Sequence, residues 1–297
     1  MRLTQTMNCP PLQLLLGASS SSPCASHCDN QAMTTPHVVP PAITTFACRA
    51  DVLQAFDTLL QPALFKDYGP NGLQVEGRPN VHKIVSGVTA SRALIEAAIA
   101  ASADAIFVHH GLFWRGQSGC VTGWMKQRLA LLLAHDINLF AYHLPLDAHP
   151  VLGNNAQLGH ALGLSGSGCF GEQDLGWLGE RTAGGGFADA AELAHHIEIT
   201  LNRTVVRVSS ARAAIKKIAW CTGGAQSYFE AAIAAGADAF ITGEISEPQA
   251  HYAREMGVAY LACGHHASER YGAPAVAGHV ATALGLAHEF IEIDNPA

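Results

Sequence analysis

Hydrophobic residues occur along the chain in short runs that predict alternating helices and strands. Apolar side chains in residues 52–60 recur at helical spacing. The apolar run 105–108 predicts a buried strand, and it ends at the adjacent pair His109 and His110. Between these two elements, residues 67–77 contain Gly-Pro and Asn-Gly steps, which predict turns. This stretch is therefore either a simple connection or a loop that lines a functional site.

One pattern occurs twice in the sequence. Residues 83–108, KIVSGVTASRALIEAAIAASADAIFV, align without a gap on residues 217–242, KIAWCTGGAQSYFEAAIAAGADAFIT. Each copy predicts a strand, an alanine-rich helix and a second strand, which form a βαβ unit with a right-handed crossover. A further helix and strand follow each copy. The sequence therefore predicts an α/β fold in which two similar βαβαβ halves surround a central cleft.

The predicted domain organisation follows from this repeat. We place the first α/β half at residues 49–165 and the second at residues 166–297. Residues 1–45 are rich in serine and proline and show no sustained periodicity, so they predict a disordered N-terminal extension. This segment contains Cys24 and Cys28, but a structural zinc site needs a second pair of ligands at a set spacing.

Composition narrows the class of protein. Hydrophobic residues make up 49% of the chain and charged residues 14%, which is typical of a globular protein with large cores. A formal charge of −7 argues against nucleic acid as a partner. Apolar runs fall short of the roughly 20 residues that span a bilayer, so no membrane association is expected. The cysteines after residue 50 lack paired spacing, which predicts reduced thiols and a cytoplasmic protein.

Histidines and carboxylates cluster where the predicted strands end. The pair after the strand 105–108 corresponds, in the second copy, to a glycine and a glutamate. After the third strand of each half, both copies carry the pattern His-x-x-x-carboxylate. Ligands bind at the carboxyl ends of strands in α/β sheets. The residues that we expect to share one cleft are His109, His110, His143, Asp147, Glu244, His265, His266 and Glu269.

This set of side chains predicts a metal site. Imidazole and carboxylate groups, with Cys263 as the one neighbouring thiol, favour zinc, iron, manganese, cobalt or nickel. The set has more ligands than one tetrahedral ion can use, which suggests two divalent ions per subunit. Either Glu269 or Asp147 would bridge the ions, and a metal-activated water would serve as nucleophile.

Six motifs extend this interpretation, because together they resemble the Nif-three-like dinuclear metal-centre family, the GTP cyclohydrolase 1 type 2 homologues. The resemblance covers the chain from about residue 49 to its end and is closest to the short bacterial form. The motifs are DYGPNGLQVEG (67–77), KIVSGVTAS (83–91), ADAIFVHHGLFWRG (103–116), HLPLDAHPVLGNNAQLG (143–159), DAFITGEISE (238–247) and CGHHASERYG (263–272).

The resemblance implies roles for the clustered residues. It implies that the metal ligands are His109, His110, Asp147, His265 and Glu269. It leaves His143, Glu244 and His266 as catalytic candidates that orient a ligand, face the substrate or transfer a proton. It also implies a toroidal homohexamer whose metal clefts face an internal cavity.

Two functions are consistent with these observations. The first is a metal-dependent hydrolase, similar to a GTP cyclohydrolase, that acts on a nucleotide or a related small molecule. The alternative is a non-catalytic hexamer that binds or transfers metal or serves as a regulatory scaffold.

Two further patterns have simpler interpretations. The stretch Thr222-Gly223-Gly224 follows a predicted strand, where its backbone would either cradle a phosphate or only form a turn. The pair His195 and His196 lies in an amphipathic helix and predicts a solvated face.

Overall fold

The computed structural model describes residues 45–209 and 214–297. The strands in these two ranges are β1 Ala47–Cys48, β2 Gly72–Val75, β3 Asn80–Val81, β4 Lys83–Thr89, β5 Ala105–His110, β6 Asn138–Ala141, β7 Leu164–Phe170, β8 Gly176–Arg181, β9 Val206–Val208, β10 Ile218–Trp220, β11 Ala239–Thr242, β12 Ala259–Ala262 and β13 Ala287–Phe290. The α-helices are α1 Arg49–Leu60, α2 Arg92–Ala100, α3 Gly123–Ala134, α4 Leu144–Ala148, α5 Asn154–Ala161, α6 Ala190–Leu201, α7 Phe229–Ala234, α8 Glu247–Met256, α9 His265–Glu269 and α10 Gly272–Leu284. Short 3-10 helices cover Pro62–Leu64, Glu172–Asp174 and Gln226–Tyr228.

Two mixed sheets organise the molecule, and the α/β class is confirmed. The first has the strand order β13-β4-β5-β6-β2 and the second the order β7-β8-β10-β11-β12-β9. At the centre of the first sheet, β4, β5 and β6 are parallel neighbours. The strands β10, β11 and β12 have the same arrangement in the second sheet. Each copy of the sequence repeat therefore contributes parallel strands whose carboxyl ends lie at one edge.

The central strands are apolar because helices cover both faces of each sheet. In β5, Phe107 packs towards α1, where its ring stacks on Phe56 at 4.5 Å between centroids. The neighbouring residue Ile106 faces the opposite side and packs with Leu94 of α2. Alternating strand residues thus enter two different cores, as the period of two in a strand requires.

A repeated aspartate explains why the motif Ala-Asp-Ala occurs in both copies. Asp104 Oδ2 accepts hydrogen bonds from the backbone N–H of His82 at 2.7 Å and of Lys83 at 3.2 Å. Asp238 Oδ2 does the same for the N–H groups of residues 216 and 217, at 3.0 and 2.9 Å. Each aspartate therefore fastens the start of one parallel strand to the start of the next.

The last elements of the chain return to the first sheet. Strand β13 pairs in parallel with β4, where Ala287 lies opposite Lys83. Helix α10 contributes Val276 and Val280 to the core that contains Phe56. Helix α9 directly follows β12 of the second sheet and directly precedes α10. It therefore connects the second sheet to a helix that covers the first sheet.

Other expectations have different outcomes. In the described part of the chain, no helix has the length and apolarity that a membrane crossing requires. The predicted N-terminal extension, including Cys24 and Cys28, lies outside the described residues apart from residue 45. The boundary between halves at residues 165 and 166 stays a prediction.

Candidate metal centre

His109 and His110 are the last two residues of β5, and their rings lie 4.4 Å apart between centroids. His109 is fully buried, and its Nδ1 lies 3.1 Å from the carbonyl oxygen of Tyr142. Because a carbonyl only accepts, Nδ1 carries a proton, and in the neutral ring the lone pair is therefore on Nε2. His110 Nδ1 lies 3.1 Å from the hydroxyl of Thr89. Both rings are thus held by one nitrogen, which leaves Nε2 of each for a ligand.

The second half supplies His265 and Glu269 from the short helix α9. Their spacing of four residues places them on one helical face, with His265 Nε2 3.2 Å from Glu269 Oε2. His265 Nδ1 donates a hydrogen bond to Glu244 Oε1 at 2.6 Å. Glu244 follows β11 at the position that corresponds to His110 in the first copy. The second half therefore has Glu244 at the position of His110, and this carboxylate orients His265 of the same half.

Asp147 completes the cluster from helix α4. Its Oδ1 accepts hydrogen bonds from Asn154 Nδ2 at 2.9 Å and from Thr222 Oγ1 at 3.2 Å. The same oxygen lies 3.5 Å from His109 Nε2. These two neutral donors fix the carboxylate without neutralising it, as is typical of groups that support a metal ligand.

The geometry fits a metal ion. His109 Nε2 and Glu269 Oε2 are buried without a hydrogen-bond partner, which would cost roughly 1–3 kcal/mol per group if nothing bound there. Within residues 45–209 and 214–297, three sets of side chains have potential ligand atoms within 4.8 Å of one another and could hold a metal ion. These sets are His109-His110-His143, His110-His265-Glu269 and His109-Asp147-Glu269.

The charges of the cluster are strongly coupled. Burial lowers the pKa of His109, but the carboxylates of Asp147 and Glu269 outweigh burial and raise it to about 9. Burial likewise opposes protonation of His265, but the carboxylates of Glu269 and Glu244 outweigh burial and raise the pKa of His265 to about 9. Burial lowers the pKa of His110 to about 3, so this ring is neutral. A metal ion would replace the protons that these carboxylates attract.

The carboxylates respond in opposite ways. Burial raises the pKa of Glu269, but the neighbouring histidines, His109 first, outweigh burial and hold it well below its ordinary value. For Asp147 burial dominates and raises the pKa, with a further contribution from the negative charge of Glu269. Glu269 is therefore the permanent negative charge at the centre of the cluster.

The three catalytic candidates lie in different places. His143 lies beside the cluster, with its ring centroid 5.0 Å from that of His109, and it belongs to one of the three potential ligand sets. Glu244 contacts the cluster through His265. His266 Nε2 instead bonds to Glu292, a residue that follows the last strand. Its ring is therefore held by the C-terminal segment, and His266 belongs to none of the potential ligand sets among the described residues.

A cavity of about 200 Å³ opens beside the cluster. Its walls include Asp147 and Glu269, the ring of His143, and the side chains of Tyr68 and Tyr228. A small molecule that enters this cavity can contact the candidate metal ligands and two aromatic side chains.

The loop 67–77 lines this site, which decides between its two interpretations. Asn71 Oδ1 accepts a hydrogen bond from the backbone N–H of His143 at 2.7 Å. Asp67 Oδ1 lies 2.7 Å from His143 Nδ1. Burial raises the pKa of Asp67, but hydrogen bonds, first that of His143, hold it below its usual value. The sequence did not identify Asp67 as a site residue. The only indication was its position in a polar loop with several predicted turns.

The glycine-rich stretch after β10 has a structural role. The N–H of Thr222 donates to Asn155 Oδ1, and that of Gly223 donates to Ser268 Oγ, both at 2.9 Å. These two groups are therefore engaged, which favours the turn over the phosphate cradle. A Cβ on Gly223 would overlap with Glu269 Oε1, so the glycine makes room for the carboxylate.

The prediction for the histidine pair in α6 is correct for one residue only. His195 is exposed. His196 is half-buried, because its Nε2 donates to the carbonyl of Leu162 at 2.8 Å and its ring contacts Phe187.

The chain matches one family model and several curated relatives. The family model of Duf34/NIF3 (NGG1p interacting factor 3) matches residues 48–296. A curated relative from Neisseria meningitidis serogroup A, named GTP cyclohydrolase 1 type 2 homolog, is 50% identical over 252 residues, or 84% of this chain and 99% of that one. The relative of the same name from Escherichia coli K12 is 47% identical over 245 residues, or 82% and 97% of the two chains.

Solved structures show the same fold. Protein ybgI, described as of unknown function, superposes with a TM-score of 0.80 at 45% identity over 84% of this chain and all of that one. A protein from Thermus thermophilus, TTHA1606, gives a TM-score of 0.76 at 28% identity over 84% of this chain and 100% of that one.

Proposed function

This chain belongs to the Duf34/NIF3 family, and on that premise we propose that it is a metal-dependent hydrolase with two divalent ions in each subunit. Its substrate is a nucleotide or a related small molecule. The name of its curated relatives, GTP cyclohydrolase 1 type 2 homolog, supports this substrate class. The ions are zinc, iron, manganese, cobalt or nickel, which the same nitrogen and oxygen ligands accept.

One observation carries the proposal: the two oxygens of Glu269 face different histidines. Oε1 lies 3.3 Å from His109 Nε2, and Oε2 lies 3.3 Å from His110 Nε2. The Oε1 side also has Asp147, and the Oε2 side also has His265. A carboxylate between two separate sets of ligands is suited to bridge two ions. This favours Glu269 over Asp147 as the bridge.

The proposed reaction gives separate roles to the metal ligands, to the groups that orient them and to His143. Divalent ions at the two sets would polarise the substrate and lower the pKa of a bound water. Glu244 and the carbonyl of Tyr142 hold His265 and His109 with Nε2 towards the cluster. His143, at the cavity wall, is placed to accept or donate a proton. Tyr68 and Tyr228 line the same cavity and would contact a bound substrate.

The proposal also includes the oligomeric state of the protein and its location in the cell. We place the protein in the cytoplasm because the cysteines after residue 50 lack paired spacing, and we propose a homohexamer because the family resemblance implies one. Exposed apolar side chains support an assembly, because Val121 and Trp124 are 53% and 51% exposed near one another in the chain. The five candidate ligands, His109, His110, Asp147, His265 and Glu269, lie together within one chain.

The test is metal content per subunit together with turnover on a panel of nucleotides. We expect about two ions in the wild type and loss of both in Glu269→Ala, because the bridge serves both sets. Glu247→Ala is the matched control, since Glu247 is an exposed helix residue whose hydrogen bond goes to His251. A wild-type protein that binds no divalent ion would contradict the proposal.

The alternative is a protein that binds and transfers metal without catalysis. The partial exposure of His110 and His265, 18% and 28% for their side chains, favours exchange of an ion at that set. This alternative predicts two ions that pass rapidly to a chelator, with no turnover on any nucleotide. Turnover that disappears in His143→Ala while both ions are retained would exclude it.

A further inference from the structure

Asp67 is a buried carboxylate whose hydrogen bonds are all accounted for by four donors. Oδ1 accepts from His143 Nδ1 at 2.7 Å and from the N–H of Tyr68 at 2.6 Å. Oδ2 accepts from Asn71 Nδ2 and from the N–H of Leu144, both at 2.9 Å. The Asp67 side chain is 4% exposed. Such a well-satisfied carboxylate fixes the position of each group that donates to it.

Among these four donors, only His143 has a side chain that can bind a metal ion or transfer a proton. Its ring contacts Trp114 edge-on, with 5.0 Å between centroids, and it lies equally close to His109. Its own backbone N–H is held by Asn71. With Nδ1 committed to Asp67, Nε2 is the ring nitrogen left for the cavity.

We infer that Asp67 is a positioning residue that keeps the proton of His143 on Nδ1, so that the lone pair of Nε2 is available in the cleft. The reason is that an ionised carboxylate only accepts hydrogen bonds, and this determines which tautomer of its histidine partner is stable. The consequence rests on the proposed function: the lone pair either binds an ion or takes a proton from the substrate. Neither role is open to the opposite tautomer, which carries its proton on Nε2.

The substitution Asp67→Asn tests the inference because its effect on each oxygen can be worked out. An amide has one acceptor oxygen and one donor nitrogen. The donors at Oδ2, Asn71 Nδ2 and the Leu144 N–H, cannot become acceptors, so the amide oxygen belongs there. The amide nitrogen then faces His143, which can respond by moving its proton to Nε2. Tyr68, 52% exposed in its loop, can turn its N–H to water.

The experiment measures the tautomer of His143 directly. The full-length protein, freed of divalent ions by chelation and labelled with 15N-histidine, is studied by long-range 1H–15N correlation at a pH at which the spectrum itself shows that the His143 ring is neutral. His143→Gln assigns the signal. Asp57→Asn is the matched control, because Asp57 is another carboxylate bonded to a ring substituent, the Tyr142 hydroxyl at 2.6 Å, and not to a histidine.

In the wild type and in Asp57→Asn we expect the Nδ1–H tautomer to exceed the Nε2–H tautomer by at least about tenfold, as a hydrogen bond to a charged group requires. In Asp67→Asn we expect the ratio to reverse. Predominance of Nε2–H in the wild type would overturn the inference even if the variant failed to fold. An unchanged ratio in a folded Asp67→Asn would do the same. The measurement uses metal-free protein, so failure of the hydrolase proposal would leave its result intact.

Discussion

His265 Nδ1 lies 2.6 Å from Glu244 Oε1, and the two residues follow neighbouring parallel strands of the second sheet. The equivalent strand in the first half ends in His109 and His110, which face the cluster themselves. The residue before Glu244 is Gly243, where a Cβ would lie 2.6 Å from the Cα of His265. The two halves have therefore specialised. One supplies two histidines from a strand, and the other supplies a glycine and a carboxylate that admit and orient a histidine from a helix.

Replacement of Glu244 tests this relationship. We expect Glu244→Ala to weaken metal binding by about 10–100-fold, because His265 loses the partner that orients its ring. Glu244→Gln keeps an acceptor oxygen and should recover part of the loss. Affinity is measured by competition with a chelator of known strength. Equal affinities of Glu244→Ala and wild type would show that His265 needs no partner.

Gly223→Ala tests the close approach of the backbone to Glu269. The new methyl group would overlap with Glu269 Oε1, so we expect loss of bound metal and a destabilisation of about 1–3 kcal/mol. Gly257→Ala is the matched control, since Gly257 has nearly the same positive φ, 66° against 69°, but open space around the added Cβ. Metal content and urea denaturation distinguish a steric effect from backbone strain. Similar results for the two variants would rule out the steric effect.

Metal affinity should increase with pH. His109 and His265 have pKa values raised to about 9 in the metal-free protein, so each must lose a proton before its Nε2 can bind an ion. We expect the affinity for Mn²⁺ to rise by about tenfold per pH unit for each such histidine and to level off above about pH 9. Titration calorimetry in buffers of different ionisation enthalpy also reports the protons released. An affinity that is constant from about pH 6.5 to 9 would contradict this account.

The same pKa values predict the stability of the metal-free protein. A histidine whose pKa is higher in the folded than in the unfolded state stabilises the fold below its unfolded pKa, which is about 6.5. That contribution disappears as the pH rises through about 9 for His109 and His265. The melting temperature of the metal-free protein should therefore fall over this interval, whereas saturation with metal should reduce the fall. Melting curves of both forms at several pH values provide the measurement.

Phe56→Ala should destabilise the protein by about 3–5 kcal/mol, because it removes a fully buried ring from a close-packed core. Phe56 stacks on Phe107 and contacts Tyr142, whose carbonyl holds His109. Chemical denaturation gives the change in the free energy of unfolding. Phe46→Ala, at a 57% exposed position, is the control and should change stability by less than about 0.5 kcal/mol. A similar loss in both variants would mean that the core has been misidentified.

Much of the fold was predictable because it depends on local patterns. Apolar runs of strand length, the alanine-rich helices and the repeated Ala-Asp-Ala motif all reflect interactions between neighbouring elements. The helix predicted to follow each copy of the repeat agrees with α3 in the first half and α8 in the second. The edge strand β13 was not predicted, because its partner β4 lies about 200 residues earlier and its own sequence, AHEF, has only a weak strand pattern.

By itself, the sequence determined which residues lie at the carboxyl edge of each sheet. Parallel strands bring their carboxyl ends together, so His109 and His110 had to lie at that edge of the first sheet and Glu244 at that edge of the second, once their strands were recognised. Only the tertiary structure decided how these groups pair. Asp67 contacts His143 across 76 residues. Thr222 contacts Asp147 across 75 residues. Such pairs leave no periodic signal, because they arise when separate loops pack together and each buried polar group must find a partner.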